Sequence, residues 1–136
     1  MDVFDKKKRS WIMSRVKGRN TRPELIVRSM VHLMGLRFRL HDEKLPGKPD
    51  LALPRHKKVI FIHGCFWHGH KGCKRSARPA TNKVFWSEKL DRNIARDKKN
   101  IRLLVKEGWD VLVIWQCQTR DMENLSLRLH KFLRSE

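Results

Sequence analysis

Long apolar runs are missing from this sequence of 136 residues. Apolar stretches such as residues 59–62 are far shorter than the roughly 20 residues that a membrane-spanning helix needs. Residues 1–10, MDVFDKKKRS, also offer no apolar segment that could serve as a signal peptide. The sequence therefore predicts no membrane partner, and we expect the protein to act in the cytoplasm.

The sequence contains only three cysteines, which is an odd number. Because reducing compartments disfavour disulfides, metal ligation or simple burial is the expected role of these cysteines. No internal repeat, low-complexity segment or Gly/Ser-rich linker divides the chain. We expect one domain spanning residues 21–136, preceded by a basic arm at residues 1–20.

Acidic residues are few: 14 Asp and Glu stand against 32 Lys and Arg, which gives a formal net charge of +18. The usual partner for such a charge is a polyanion, most often nucleic acid. A basic protein that is merely soluble is the alternative interpretation. The arm of residues 1–20 concentrates this charge in Lys6, Lys7, Lys8, Arg9, Arg15, Lys17 and Arg19.

Hydrophobic periodicity predicts a helix, three strands, a helix, a strand and a helix. The first helix should begin near Thr21, because Thr21 to Glu24 has capping-box spacing, and end at Gly35. Strands are predicted at residues 36–41, 49–53, 57–63 and 109–115, and further helices at residues 83–107 and 121–134. The expected inward-facing residues of the three helices are Leu25, Ile26, Ser29, Met30, Leu33 and Met34, then Phe85, Leu90, Ile94, Ile101, Leu104 and Val105, then Met122, Leu125, Leu129 and Phe132. This order predicts an α/β fold with a small mixed β-sheet flanked by helices.

Residues 64–82 lack periodicity, but they hold two cysteines and two histidines within nine positions. Structural zinc sites use four tetrahedral nitrogen and sulfur ligands and leave no position open. Such a site would tie this loop to the sheet edge through Cys65, His70, Cys73 and Cys117. Alternatively, the cysteines are small buried hydrophobes and the histidines contact phosphates. His68 is left over from the four.

Acids at strand ends are conspicuous in so basic a chain. Asp50 opens one predicted strand and could hold Mg²⁺, which prefers oxygen ligands and can activate water against a phosphodiester. Asp50 could equally be a turn residue that bonds its own backbone. His63 could be bonded to backbone at a strand end, and the capping box already explains Glu24. Restriction-type nucleases usually carry a second acid and a lysine where this chain has residues 61–63, so these residues alone suggest a nuclease site without defining one.

Several motifs resemble the very short patch repair (Vsr) endonucleases over residues 5–136. They are LPGKPD at residues 45–50, VIFIHGCFWHGH at 59–70, FWSEKL at 85–90, Asn93 with Arg96-Asp97, and residues 108–115. The HGCFWH stretch is highly specific to that family. The resemblance implies a restriction-endonuclease-like core with a zinc-stabilised loop. It also implies strand-specific nicking beside T:G mismatches left by deamination of 5-methylcytosine.

Site roles follow from the same resemblance. Asp50 would bind the catalytic Mg²⁺, with the backbone carbonyl of Ile62 as a further ligand. His63 and His68 match active-site histidines, and His68 would be the general acid/base, since histidine can shuttle protons near neutral pH. Glu24 matches a helix-borne acid that acts through metal-bound water. The structural zinc ligands would be Cys65, His70, Cys73 and Cys117.

DNA contacts are implied as well. Phe66, Trp67 and Trp86 match residues that wedge into the base stack beside the mismatch, whereas Phe85 is expected in the core. The arm would contact phosphates through Lys6, Lys7, Arg9, Arg15 and Arg19. The expected partner is double-stranded DNA with a T:G mismatch, bound by a monomer at the bacterial nucleoid, with downstream repair proteins to follow. A zinc-stabilised DNA-binding module without catalysis and a restriction-type nuclease that cuts matched duplex are the alternatives.

Overall fold

The computed structural model describes residues 21–134, apart from the side chain of Arg75. The predicted basic arm, with Lys6, Lys7, Arg9, Arg15 and Arg19, lies outside the described residues. Among residues 21–134, no helix is long and apolar enough to cross a membrane. The described elements are α1 (Arg22–Leu33), β1 (Arg39–Leu40), β2 (Leu51–Leu53), β3 (Lys58–His63), α2 (Lys83–Lys106), β4 (Asp110–Trp115) and α3 (Met122–Arg134), with short 3-10 helices at Lys74–Ser76 and Gln116–Arg120. This order confirms the predicted succession of helices and strands.

The four strands form one mixed sheet in the order β1-β2-β3-β4. β1 with β2 and β2 with β3 pair antiparallel, whereas β3 and β4 are parallel. All six residues of β3 are buried, as the apolar run of residues 59–62 predicts for a central strand. The register aligns His63 with Trp115 at the carboxyl ends of the parallel pair. The chain therefore leaves both strands at the same edge of the sheet.

Helices cover both faces of the sheet. Alternate residues of each strand point to opposite faces, so Leu51, Ile60 and Ile114 pack with α1 and α3 in one core cluster. Ala52, Val59 and Phe61 pack with Leu104 of α2 in the other. The small mixed sheet flanked by helices is thus confirmed.

The inward face of α1 differs from the prediction. Val27 and Val31 are fully buried, with Ile26, Met30 and Met34 packed beside them. Leu25 is 50% exposed and Leu33 is 83% exposed, so their expected burial is wrong. Val27 and Val31 are four residues apart and form the centre of the helix face that packs on the sheet. Residues on the same face are three or four positions apart, and neither leucine has that spacing from either valine, so both lie off this face.

Helix ends account for most of the other corrections to the predicted core. Phe85 of α2 is 56% exposed and Met122 of α3 is 53% exposed, and each lies in the first turn of its helix. α2 packs on the sheet through Ile101 and Leu104 in its second half. Val105 follows Leu104 directly, points away from this contact and is 57% exposed.

The segment after α1 also differs from the prediction. Only Arg39–Leu40 of the expected strand at residues 36–41 pairs with β2, and Leu40 is 44% exposed. Leu36 and Phe38 pack against the first core cluster. The side chain of Thr21 makes no capping hydrogen bond, so the predicted capping box is not formed through that hydroxyl. Glu24 is consequently not explained by a capping box.

Candidate functional site

Two carboxylates and a histidine meet where α1 faces the start of β2. Glu24 is 3% exposed, and its Oε2 accepts hydrogen bonds from Arg28 at 3.2 Å and from His41 Nε2 at 3.1 Å. Nε2 of His41 also lies 3.7 Å from Asp50 Oδ1. The other oxygen of Asp50, Oδ2, accepts the backbone N–H of Ile62 at 2.6 Å. Asp50 is therefore anchored to β3 through one oxygen while the other faces Glu24 and His41.

The backbone conformation around residues 41 and 47 places these side chains next to one another. His41 has a φ of 47° and its N–H donates to the Asp50 carbonyl at 3.2 Å, which turns the chain from β1 towards the site. Gly47 has a φ of 77°, and a Cβ atom there would lie 3.0 Å from Asn100 Cβ and 3.2 Å from Phe61. A glycine is thus required where the turn before Asp50 presses on α2 and β3.

Two further histidines lie at the end of β3. The ring of His63 stacks on that of His68, with centroids 3.9 Å apart and an interplanar angle of 7°. Nδ1 of His68 lies 2.6 Å from Oδ2 of Asp97, which α2 presents. Since a carboxylate only accepts, Asp97 holds the proton on Nδ1 and leaves Nε2 to exchange a proton in the site.

The group of Glu24, His41 and Asp50 and the group of His63, His68 and Asp97 line one open cavity of about 510 Å³. The structure therefore brings together the four residues that the sequence predicts for catalysis, although they come from α1, β3 and the segments beside β2 and β3. The cavity is lined by Glu24, His41, Asp50, Ile62, His63, His68 and Asp97, among others.

Burial sets the charges in this cavity. Burial and the nearby charge of Glu24 raise the pKa of Asp50 to about 6, against the opposing hydrogen bond from Ile62. Burial, together with the neighbouring His68, lowers the pKa of His63 to about 4, so His63 is uncharged at neutral pH. A bound cation would offset the free-energy cost of keeping the Asp50 carboxylate charged in this buried position. The carboxylate oxygens therefore suit a hard divalent cation such as Mg²⁺.

A second cluster lies at the same edge of the sheet. The candidate ligand atoms of Cys65, His70, Cys73 and Cys117 all lie within 4.8 Å of one another. Cys117 belongs to the 3-10 helix that follows β4, and its Sγ is 3.5 Å from His70 Nδ1. Burial and the adjacent thiols of Cys65 and Cys73 raise the pKa of Cys117 to about 11. Thiols this close together ionise readily only beside a cation, and three sulfurs with one nitrogen are a donor set that suits zinc.

An aromatic cluster borders the loop that carries these ligands. Phe66 lies 5.1 Å from Trp67 and 5.5 Å from Trp86, measured between ring centroids. Phe85, expected in the core, instead contacts Trp86 at 5.3 Å and remains largely exposed. Lys89 Nζ lies 5.4 Å from the Trp67 ring centroid. The three predicted wedge residues thus form one partly exposed surface, with Phe85 and Lys89 added to it.

Comparison with known proteins identifies the family. Residues 1–75 match the family model described as DNA mismatch endonuclease Vsr. The chain is 45% identical to the Type II nicking enzyme V.XorIIP of Xanthomonas oryzae pv. oryzae over 97% of this chain and 96% of that protein. It is 42% identical to the DNA mismatch endonuclease Vsr of Escherichia coli over 92% of this chain and 80% of that protein. The Type II nicking enzyme V.NmeAIP of Neisseria meningitidis is 40% identical over 98% of this chain and 94% of that protein.

The chain belongs to the Vsr endonuclease family. The predicted resemblance is therefore confirmed over most of the chain. The mixed sheet and its flanking helices are the restriction-endonuclease-like α/β core expected of Vsr proteins. Membership makes the chain an endonuclease, a hydrolase that acts on DNA.

Sequence reasoning assigned no role to two residues that line this cavity of the Vsr family chain, Asp97 and His41. Asp97 lies within a long, strongly basic helix. It belongs to the motif of Asn93 with Arg96-Asp97 that resembles the Vsr family, and Asn93 is four residues earlier on the same side of α2. Asn93 donates to the Trp67 carbonyl at 3.3 Å, so this side of α2 faces the loop that carries His68. His41 alternates with apolar residues, a pattern that predicts an outward-pointing side chain. Only the left-handed backbone at His41 turns it towards Glu24 and Asp50.

Proposed function

We propose that this Vsr family endonuclease nicks one strand of duplex DNA beside a T:G mismatch left by deamination of 5-methylcytosine, in very short patch repair. The observation that carries the proposal is the convergence of the buried carboxylates and the paired histidines in one open cavity. Binding DNA alone would not require carboxylates there, because they repel phosphate. The names of the relatives, a mismatch endonuclease and several nicking enzymes, support the same reaction.

Magnesium is the cation that we propose for the carboxylates. Asp50 would hold it through Oδ1, and the backbone carbonyl of Ile62 would be a second ligand. Bound there, Mg²⁺ would stabilise the charge that develops on the phosphate and favour ionisation of the attacking water. Glu24 would orient water at the same place through its buried carboxylate.

In this proposal His68 is the residue that transfers the proton. Asp97 accepts from Nδ1 at 2.6 Å, which fixes the tautomer and leaves Nε2 to accept or donate a proton. His63, uncharged at neutral pH, stacks on the ring and restricts its rotation. His68 is therefore the general acid/base of the proposed reaction, with Asp97 and His63 positioning it.

Zinc is proposed for Cys65, His70, Cys73 and Cys117, in a structural role. Four protein ligands would leave no open position, so this ion would take no part in cleavage. It would hold residues 65–73, which carry His68 and two of the aromatic residues, against the 3-10 helix after β4. The proposed zinc thus sets the position of the general acid/base and of the DNA-contacting rings.

DNA contacts are proposed for the aromatic cluster and the basic arm. Insertion of Phe66, Trp67 and Trp86 beside a T:G pair requires less unstacking energy than at a matched step. Deleting residues 1–20, with Lys6, Lys7, Arg9, Arg15 and Arg19, should weaken DNA binding. The logarithmic salt slope should become shallower by roughly 0.9 for each phosphate that the shortened chain no longer neutralises. Fluorescence anisotropy at several salt concentrations measures both, and an unchanged slope would remove the arm from the interface.

The deciding experiment uses duplexes with one T:G mismatch in several flanking sequences, CTWGG opposite CCWGG among them, each strand carrying its own label. We expect a single nick on the T strand that requires Mg²⁺ and is absent from the matched T:A duplex. Asp50→Asn should abolish the nick while mismatch binding persists. Cleavage of both strands of matched duplex would instead indicate a restriction-type nuclease. Mismatch binding without cleavage under every condition would indicate a DNA-binding module.

A monomeric state, action at the bacterial nucleoid and downstream repair proteins remain predictions beside this proposal. The oligomeric state can be measured by light scattering of the purified chain, alone and with a mismatched duplex. A mass corresponding to one chain per duplex would support the monomer.

A further inference from the structure

His41 occupies an unusual place between two acids. Its Nε2 lies 3.1 Å from Glu24 Oε2 and 3.7 Å from Asp50 Oδ1. The candidate ligand atoms of Glu24, His41 and Asp50 all lie within 4.8 Å of one another. The two acids come from α1 and from the start of β2, so His41 links elements that are otherwise separate in sequence.

The fold directs this imidazole inwards. His41 adopts a φ of 47°, and its backbone N–H is tied to the Asp50 carbonyl at 3.2 Å. Its side chain is 17% exposed, next to Glu24 at 4% and Asp50 at 15%. A non-glycine residue in the left-handed region is uncommon, and a conformation with that cost often marks a functional position.

The chemistry of this contact resembles that of a cation site. With a proton on Nε2, the imidazole donates to the carboxylates. Without that proton, the same atom presents a lone pair towards the space between them. A divalent cation bound to Nε2, Glu24 and Asp50 would replace the proton and satisfy all three groups. The remaining coordination positions would open into the cavity of about 510 Å³, where water can enter.

We propose that His41 Nε2 joins Glu24 and Asp50 as a nitrogen ligand of the cation site, so that the site accepts Mg²⁺ but binds Mn²⁺ and similar transition-metal cations more tightly. A nitrogen ligand adds affinity for first-row transition metals, whereas Mg²⁺ is bound through oxygen and keeps most of its water. The inference deepens the proposed function, because the site shares the cavity proposed for cleavage. It can nevertheless be tested without DNA, by metal binding alone.

Mn²⁺ is the appropriate probe. The cysteine-rich cluster offers soft sulfur ligands that Mn²⁺ does not prefer, so zinc-loaded protein should take up Mn²⁺ at the carboxylates. A second nitrogen source is His68, which belongs to the neighbouring group of His63, His68 and Asp97. The experiment must therefore separate His41 from His68.

The experiment uses the full-length, zinc-loaded chain and pulsed electron paramagnetic resonance of bound Mn²⁺. We expect a directly coordinated imidazole nitrogen in the wild-type spectrum. The nitrogen coupling should disappear in His41→Gln and persist in His68→Gln. His56→Gln, which changes an exposed histidine in the turn between β2 and β3, is the matched control and should leave the coupling unchanged. Titration should show Mn²⁺ affinity falling by about 10-fold or more in His41→Gln, and Mg²⁺ affinity changing far less.

Wild-type Mn²⁺ without nitrogen coupling would overturn the inference, as would a coupling that survives in His41→Gln. A coupling that disappears only in His68→Gln would also overturn it, and would place the cation on the other group. If His41→Gln fails to fold, a wild-type spectrum without nitrogen coupling, or a coupling that disappears in His68→Gln, still overturns the inference. Failure of T:G nicking with an intact His41 coupling would count against the proposed function and leave this site standing.

Discussion

At the scale of single residues, the carboxyl group of Asp50 is held where its charge is unfavourable. Burial and the nearby Glu24 raise its pKa to about 6, although the Ile62 N–H, His41 and His68 favour the charged form. The folded chain therefore keeps a proton between pH 4 and 6 that the unfolded chain has already released. The contribution of Asp50 to stability is highest below that window and falls as the pH rises through it.

Asp50→Asn should therefore stabilise the protein while it abolishes nicking. At pH 7 in Mg²⁺-free buffer with zinc retained, the variant should gain on the order of 2 kcal/mol, because a neutral amide replaces the buried charge. The gain should shrink to nothing as the pH falls from 6 to 4. The pKa of His63 is about 4, so its contribution to the stability of the folded protein is lost as the pH falls below 6.5. That loss is the same in the wild-type protein and in the variant, so it cancels in the difference. Urea unfolding at several pH values measures the difference, and a gain that does not vary with pH would contradict this account.

In the proposed mechanism Asp97 acts through His68, so its removal should impair turnover rather than binding. Asp97→Asn can place a donor against Nδ1 and favour the wrong tautomer. We expect the nicking rate to fall by about 10²- to 10⁴-fold, with mismatch affinity nearly unchanged. The matched control is Asp91→Asn on the same helix, whose exposed side chain pairs with Arg78 and should matter little. Single-turnover nicking and anisotropy separate the two effects. Equal losses in both variants would argue against the role of Asp97.

At the scale of elements, α2 serves three purposes along its length. Its second half packs on the sheet through Ile101 and Leu104, its middle presents Asp97, and its first turn carries Phe85 and Trp86. Helical periodicity predicts the first of these, because burial recurs along one face. Periodicity also predicts Phe85 in the core, which is wrong because α2 contacts the sheet through its second half and Phe85 lies in its first turn. The exposed aromatic surface is the result.

Trp86→Ala and Phe85→Ala should weaken mismatch preference more than overall DNA affinity. Each ring contributes to a surface that can enter a weakened base step, and stacking on a base is worth roughly 1–3 kcal/mol. The ratio of T:G to T:A binding should fall several-fold in each variant. Val84→Ala, at a 72% exposed position in the same turn, is the control. Competition binding with matched and mismatched duplexes gives the ratio. Losses that are equal on both duplexes would exclude the wedge.

At the scale of the whole molecule, the parallel pairing of β3 and β4 assembles the cysteine-rich cluster. β3 ends at His63 and β4 at Trp115, and these residues are partners in the register. Cys65 and Cys117 each follow two residues later, so the two chain exits bring their sulfurs together. His70 stacks on Trp115 at 4.3 Å, which holds the loop over the end of β4.

Removal of a proposed zinc ligand should therefore loosen the whole edge of the sheet. Cys117→Ser and His70→Gln should lower zinc content well below one per chain and cost about 3–5 kcal/mol in unfolding free energy. Nicking should fall with zinc content, because His68 lies in the same loop. His130→Gln, an exposed histidine on α3, serves as the control. Metal analysis and thermal unfolding provide the measurements, and full stability without zinc would disprove the structural role.

Sequence alone determined the order of elements, the fold class and the membership in the Vsr family. Apolar runs and alternation depend on neighbours close in the chain, and the HGCFWH motif is contiguous, so both can be recognised without a structure. Asp50, His63 and His68 could be proposed as site residues for the same reason. Their assembly into one cavity depends on the sheet pairing, which joins residues far apart in sequence.

Tertiary structure decided the surroundings of each charge. It turned His41 inwards, placed Asp97 against His68 and left Phe85 on the surface. The burial of Glu24 and the raised pKa of Asp50 likewise arise from packing between α1 and the sheet. These properties depend on which distant groups approach within a few ångströms, and the local pattern of a sequence carries no record of those distances.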